Sequence, residues 1–330
     1  MSLGYNGVMR KLASIQIIKA LAPIDGADMI EKATVLGWSV VVKKGDFQVG
    51  DWCIFCEIDS ILPDAPEFSF LRERRIRTVK LKGQISQGIV FPLEGLRRFF
   101  AEEYGDNIPL MEGLEVSELI GVTKYEPPIP DDLAIKAVFP YFIPKTDETR
   151  IQSAPEMLLD FGYGYLTEKL DGQSATFYNW GGQSGVCSRN FELYEQSVNQ
   201  FTTIGKNLTI PNGFAVQGEI IGPKIQSNIY KRADYEFYVF SVFDIGVSKY
   251  LILSEKNRFC DEHKLTQVPF LETLYLDSRT TVTALESLAV ANSTLNPAIL
   301  REGIVIRSLE NDSKSFKVIS PHFLLKYKDK

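Results

Sequence analysis

The chain has 330 residues, enough for two domains with separate cores. It is 45% hydrophobic and 24% charged, an ordinary globular profile, and its apolar runs are short and broken by charges, which argues against a transmembrane helix and a membrane partner. The net charge of −6 leaves a nucleic-acid partner open, because the field near a groove matters more than the sum.

Residues 1 to about 125 read as mostly β. Residues 8–20 alternate apolar and polar, and 32–43 suit two strands around Gly37. Residues 44–51 are a turn cluster before the run 51–58. That run holds Cys53 and Cys56 in a C-x-x-C, but it reads as a buried strand and no second cysteine pair follows, so zinc or redox chemistry is not expected there. The only other cysteines are Cys187 and Cys260. Four thiols make no dense disulfide framework, which, with an N-terminus lacking signal-peptide order, points to a reducing intracellular compartment. His263 and His322 are the only histidines, which argues against His-rich metal sites. Residues 75–82 and 86–93 read as a hairpin around Gly83. Five or six short strands in about 90 residues suit a small barrel of the OB type. Residues 72–82 carry six basic side chains and one acidic one, Arg75, Arg77 and Lys80 among them. They suit either a solvated strand edge or a groove that tracks phosphates.

Residues 93–119 read as helix and loop, and 123–132 as a proline-rich polar linker. The expected division is 1–125, an OB-like nucleic-acid-binding domain; 126–150, a linker and entry segment; and 151–330, a second domain. Lys145 and Arg150 could meet an anionic ligand or pair with Asp147 and Glu148. Beyond residue 150 strands alternate with a few helices, clearest at 253–264 and 281–291.

The stretch Thr167-Glu168-Lys169-Leu170-Asp171-Gly172 organises the second half. A lysine, one spacer and Asp-Gly at a turn can present an amine to a pocket with a carboxylate beside it. The amine attacks phosphorus only when neutral, so a site that uses it must lower its pKa from about 10.4. Chance alone would put K-x-D-G in roughly one chain in ten or twenty of this length, so the downstream residues decide. Arg189 follows 20 positions later. Glu219 sits at a strand end with glycines either side, Phe243 closes the aromatic strand 237–243, and Glu302 precedes a strand that carries Arg307. Lys317 lies near the end. Nucleotide binding needs an aromatic face, polar groups and cations, and metal-assisted phosphoryl transfer needs hard carboxylate oxygens.

This ordered set resembles the covalent nucleotidyltransferases, the ATP-dependent polynucleotide ligases and mRNA capping enzymes. Lys169-Leu170-Asp171-Gly172 matches motif I, Arg189 motif Ia, Glu219 motif III, Phe243 motif IIIa, Glu302 motif IV and Lys317 motif V. Glu168 before the lysine, and the run from Gly218 to Asn228, are more similar to RNA ligases than to DNA ligases. The layout resembles the ATP-dependent RNA ligases that carry an N-terminal OB domain and seal 3′-OH/5′-phosphate nicks. The resemblance implies an α+β chain, an OB-type β-barrel followed by an adenylation domain of antiparallel sheets flanked by helices. It implies ATP as cosubstrate, Mg²⁺ or Mn²⁺, and RNA or a nicked RNA-containing duplex as partner. Lys169 would be the nucleophile. Glu168, Arg189, Glu219, Phe243, Glu302 and Lys317 would hold the nucleotide, and Asp171, Glu219 and Glu302 would face the metal. Lys145, Arg150, Arg307, Arg75, Arg77 and Lys80 are phosphate or substrate candidates. Motif V departs from the RNA-ligase pattern, since Ile319 stands where a second lysine is common; Lys326 and Lys328 could compensate or form a frayed tail. The alternatives are a DNA ligase, a capping guanylyltransferase, or an inactive OB-type RNA-binding protein.

Overall fold

The computed structural model describes residues 10–71, 73–105, 107–128, 133–311 and 314–329. The chain divides into two compact units. The first holds the described residues of 10–127 together with Gln152–Pro155 and 324–329. The second holds the described residues of Pro128–Ile151 and Glu156–Phe323. Among the described residues no helix is long and apolar enough to cross a membrane.

The first unit is built on a five-stranded antiparallel sheet. In spatial order its strands are Trp38–Lys43, Ile30–Val35, Ala13–Pro23, Trp52–Cys56 and Ile89–Pro92. The run 32–43 folds as two strands around Leu36 and Gly37. Ala33, Val35, Trp38, Val40 and Val42 are buried and the residues between them less so, which fixes the register. Of the first expected strand, residues 8 and 9 lie outside the described residues.

The basic hairpin pairs Thr78–Leu81 with Gln84–Gln87, and its turn residues Lys82 and Gly83 both take positive φ, as tight two-residue hairpin turns require. The strand expected over 86–93 is broken at Gly88. There φ is +104°, and a Cβ would lie 2.3 Å from the Phe55 ring. The chain therefore leaves the hairpin, and Ile89–Pro92 pairs with Trp52–Cys56 instead. Cys53 and Cys56 are buried in that strand, where burial pushes both thiols up, Cys53 to about 12.

The end of the chain folds onto this unit. Leu324–Lys328 forms a short π-helical turn, and the Thr78 N–H donates to Asp329 Oδ2 at 3.0 Å. Lys326 and Lys328 thus lie in a helical turn of the first unit, while the Lys317 strand belongs to the second.

The second unit has two antiparallel sheets. The larger runs Ile135–Val138, Phe191–Leu193, Gln183–Cys187, Gln173–Trp180, Phe214–Ile221, Glu236–Asp244 and Lys249–Tyr250. The smaller runs Phe270–Leu276, Gly162–Lys169, Gly303–Ser308 and Ser315–Ile319. Directly paired residues share a face, and neighbours along a strand alternate. In the smaller sheet Leu166, Ile304, Ile306, Phe316 and Val318 pack with Leu285 and Ala289 of the helix Val282–Ala289. Lys169, Val305, Arg307, Ser315 and Lys317 take the other face. In the larger sheet Ala175, Phe177, Val216, Ile220 and Val239 pack with Phe259 and Cys260 of the helix Leu253–Glu262. Ser174, Gln217, Glu219, Tyr238 and Phe243 take the opposite face. Each buried apolar side chain of ordinary size contributes about 1.5–3 kcal/mol, so the covered faces fix the sheets and leave two polar faces for a site.

Candidate active site

Lys169 is the last residue of its strand. After it Leu170 turns into an apolar cluster with Ile221, Tyr230, Tyr238 and Val268. The Asp171 N–H donates to the Tyr230 hydroxyl at 2.8 Å, and the Gly172 N–H donates to Glu219 Oε1 at 3.0 Å. A Cβ on Gly172 would sit 2.3 Å from the Ile220 carbonyl oxygen, so glycine lets this loop lie against the Glu219 strand. The two polar faces meet here. Lys169 Nζ donates to Glu302 Oε2 at 2.8 Å, with both side chains mostly buried.

The electrostatics follow from that convergence. Burial opposes the Lys169 ammonium, but the fields of Glu302, Glu219 and Asp171 outweigh it, and the net effect raises the lysine. The sequence expectation was a lowered value. The protein's own groups instead hold this amine as an ammonium, the unreactive form. Burial pushes Glu219 up to about 7; Lys169 pulls it down, while Glu302 and Asp171 add to the rise. Lys317 behaves oppositely. Burial and the neighbouring Arg150, Lys169 and Arg189 bring it down to about 7, against the pull of Asp147. Among the described residues no group of three or more His, Cys, Asp or Glu could hold a metal ion unaided.

Of the sequence candidates, the structure brings Lys169, Asp171, Glu219, Glu302 and Lys317 together, with Arg150 and Arg189 beside Lys317. Arg189 pairs with Asp147, and Lys145 Nζ donates to Asn190 Oδ1 at 3.2 Å. Phe243 lies on the Glu219 face but is 5% exposed, packed with Phe139, Ile143 and Tyr178 and edge-on to Tyr250. Phe240, in the same strand, is only partly buried. A register shift between Gln217 and Gly218 leaves it outside the pairing, with the Arg307 guanidinium 5.7 Å from its ring centroid.

Other candidates sit differently. Glu168 points to the back of the sheet, because it alternates with Lys169. Its carboxylate accepts from Ser293 Oγ at 2.5 Å and from the Thr294 N–H at 2.7 Å, at 1% exposure. It shapes the loop ahead of Glu302 and does not face the lysine's pocket. Arg307, expected near phosphates, is a buried cation paired with Glu148 at 2.9 Å. In the first unit Arg75 pairs with Asp59 at 2.8 Å and stacks 3.8 Å from the Tyr125 ring centroid, and Arg77 pairs with Glu73 at 2.6 Å. Lys80 and Lys82 are exposed on the hairpin, and Arg72 lies outside the described residues. Sequence reasoning missed Tyr230, Ser293 and Thr294, whose neighbours across the fold leave no local pattern. It saw Glu148 only as a possible partner for nearby cations.

Residues 163–319 match the RNA ligase family, and residues 12–93 match an OB-fold domain. The chain is similar to the RNA ligase of Naegleria gruberi solved with pyrophosphate, at 34% identity and TM-score 0.85, covering 98% of this chain and 100% of that one. It is similar to a mutant of that ligase with AMP and manganese, at 34% identity and TM-score 0.86, and to one with ATP and manganese, at 34% and 0.85. Each of these covers 97% of this chain and 100% of the other. None of the curated proteins matches the chain by sequence. A mostly buried lysine ringed by acids, an OB-fold first unit and a 34% identical relative aligned over nearly the whole length agree: the chain belongs to the RNA ligase family.

Proposed function

We propose that this chain is an ATP-dependent RNA ligase that joins 3′-OH to 5′-phosphate ends at nicks in RNA-containing duplexes, through lysyl-AMP and a 5′-adenylated strand. The observation that carries this reading is the position of Lys169, its amine 2.8 Å from Glu302 and within the fields of Glu219, Asp171 and Lys317.

In the first step the Lys169 amine attacks the α-phosphorus of ATP, the bond to the bridging oxygen breaks, and pyrophosphate leaves with the electron pair. The ammonium must first lose a proton, and Glu302 is the acceptor in contact with it. The AMP group then passes to a 5′-phosphate and frees the lysine. Last, a 3′-OH attacks the adenylated phosphate, forms the phosphodiester and releases AMP. Covalent capture splits one difficult transfer into easier ones. Asp171, Glu219 and Glu302 would each offer a carboxylate oxygen to Mg²⁺ or Mn²⁺ brought in with the nucleotide, since together they form no metal-holding group of their own. The ion supplies charge that offsets both the phosphates and the carboxylates that keep Lys169 protonated. Lys317 and Arg150 would contact phosphate oxygens, with Lys145 toward the pyrophosphate. Arg189, released from Asp147, would hold the ribose with Glu219. Phe243, buried among Phe139, Ile143, Tyr178 and Tyr250, would face adenine once those side chains move aside.

The first unit, with the exposed Lys80 and Lys82, would grip the nucleic-acid backbone near the nick, where phosphate contacts give affinity without sequence preference. The adenylation chemistry would belong to the second unit. The test is sealing of nicked duplexes with RNA or DNA on each side of the nick, with ATP and a divalent cation. Joining is expected where RNA lies on at least one side of the nick. Joining of all-DNA nicks alone would contradict the reading.

A further inference from the structure

Residues 144–150 run past both polar faces and are fixed at nearly every step. The Pro144 carbonyl accepts from Gln217 Nε2 at 2.9 Å, and Thr146 Oγ1 lies 2.9 Å from Ser174 Oγ, both partners on the larger sheet. Asp147 pairs with Arg189. The next residues change sheets. Glu148 pairs with Arg307 at 2.9 Å and accepts from Ser315 Oγ. The Lys317 N–H donates to the Thr149 carbonyl at 2.8 Å, and Arg150 forms a parallel bridge with Lys317. Most of these contacts are partly open to water. The Glu148–Arg307 pair is not: its side chains are 7% and 2% exposed. A pair this deep holds its place, because losing either partner strands a charge without water. It is fixed one residue before Thr149 and two before Arg150.

We propose that residues 144–150 are a positioning strap, and that the buried Glu148–Arg307 pair is the latch that sets Arg150 beside Lys317 on the face of the nucleophile. Arg150 and Lys317 repel each other, so an unlatched Arg150 would turn toward water. Held together they form a site ready for phosphate oxygens, and pre-set donors of this kind cost no rearrangement when the charge arrives. Glu148, Arg307 and Ser315 touch no reacting atom in this scheme; they act through Arg150 and Lys317. The geometry stands on the structure alone, and its role in phosphate placement rests on the ligase reading above.

The test uses the full chain. Glu148→Gln or Arg307→Met alone would leave a buried charge unpaired, so the pair is exchanged together, Glu148→Gln with Arg307→Met, which removes both charges. Ser315→Ala removes only one hydroxyl from the latch. Two readouts are taken. Without ligand, amide hydrogen exchange at Lys317 should quicken at least tenfold in the double variant and a few-fold in Ser315→Ala, with the global unfolding transition kept. With labelled ATP and Mg²⁺, AMP transfer to the protein should fall about tenfold and a few-fold respectively. The pH profile of that transfer should also move. Lys317 is faced by Arg150, Lys169, Asp147 and Arg189; once Arg150 leaves, its titration moves up and the alkaline limb with it. Wild-type exchange at Lys317, or wild-type transfer with an unmoved limb, in the folded double variant would overturn the latch. If the double variant does not fold, Ser315→Ala decides by the same readouts. A wild-type chain that takes no label from ATP would overturn the ligase reading, and the exchange experiment would still judge the strap.

Discussion

Lys317 is a cation that the folded protein disfavours, and its replacement should show this directly. Burial, then Arg150, Lys169 and Arg189, bring it from 10.5 to about 7. At 1.36 kcal/mol per pH unit that difference corresponds to at most about 5 kcal/mol. The residue keeps some contact with water, so about 2–3 kcal/mol is the working figure. The sign follows from linkage. The folded value lies below the unfolded one, so the charged form is penalised in the folded state. That penalty is complete below pH 7, shrinks between 7 and 10.5, and vanishes above. Lys317→Met should therefore stabilise the ligand-free protein at pH 6 by about 2–3 kcal/mol, or about 4–12 °C in the melting of a unit of this size. The gain should fade as pH rises toward 10.5. The same variant should lose AMP transfer, because the cation that costs stability is the one proposed to meet phosphate. Thermal unfolding at pH 6, 8 and 10 is the assay. A variant less stable than wild type at pH 6, or a difference that does not change with pH, would refute this reasoning.

Glu302→Gln should slow AMP transfer yet move the rising limb of its pH profile to lower pH, because the carboxylate 2.8 Å from Lys169 no longer holds the proton; an unmoved limb would count against that coupling. Phe243→Ala should weaken apparent ATP affinity by about 1–3 kcal/mol, the scale of base–aromatic stacking, and more than Phe240→Ala does. Equal ATP affinity in Phe243→Ala and wild type, with both folded, would remove Phe243 from the adenine site. Lys80→Glu with Lys82→Glu should weaken nicked-duplex binding and flatten its salt dependence while AMP transfer to the protein stays intact. Loss of that transfer in the variant would place the hairpin in the nucleotide's service instead.

The fold was legible where chemistry is local. The alternation in 32–43 and the lysine–glycine turn at 82–83 specify their strands without help from elsewhere. The grouping of Lys169, Asp171, Glu219, Glu302 and Lys317 was legible as an ordered set of charged residues, while their roles belong to the proposal. Facing was harder to read. Glu168 and Lys169 are adjacent, yet strand alternation sends one to the back of the sheet and the other to the site. Whether Arg75 and Arg307 are available to phosphates depends on Asp59, Tyr125 and Glu148, partners 16 to 159 positions away along the chain. The break at Gly88 was hidden for the same reason, since it is the Phe55 ring that forbids a side chain there. The rise of the Lys169 pKa is a sum over three carboxylates that only the folded chain brings together.

The most direct test of the central claim is AMP transfer to Lys169. Wild-type protein, incubated with ATP labelled at the α-phosphate and a divalent cation, should carry label on the peptide that contains Lys169. Lys169→Ala should carry none, and Lys169→Arg none either, because arginine stays protonated. Lys169→Ala should still seal a nick whose 5′ end is already adenylated, since that step does not use the lysine. Label on Lys169→Ala at the wild-type level would contradict the account.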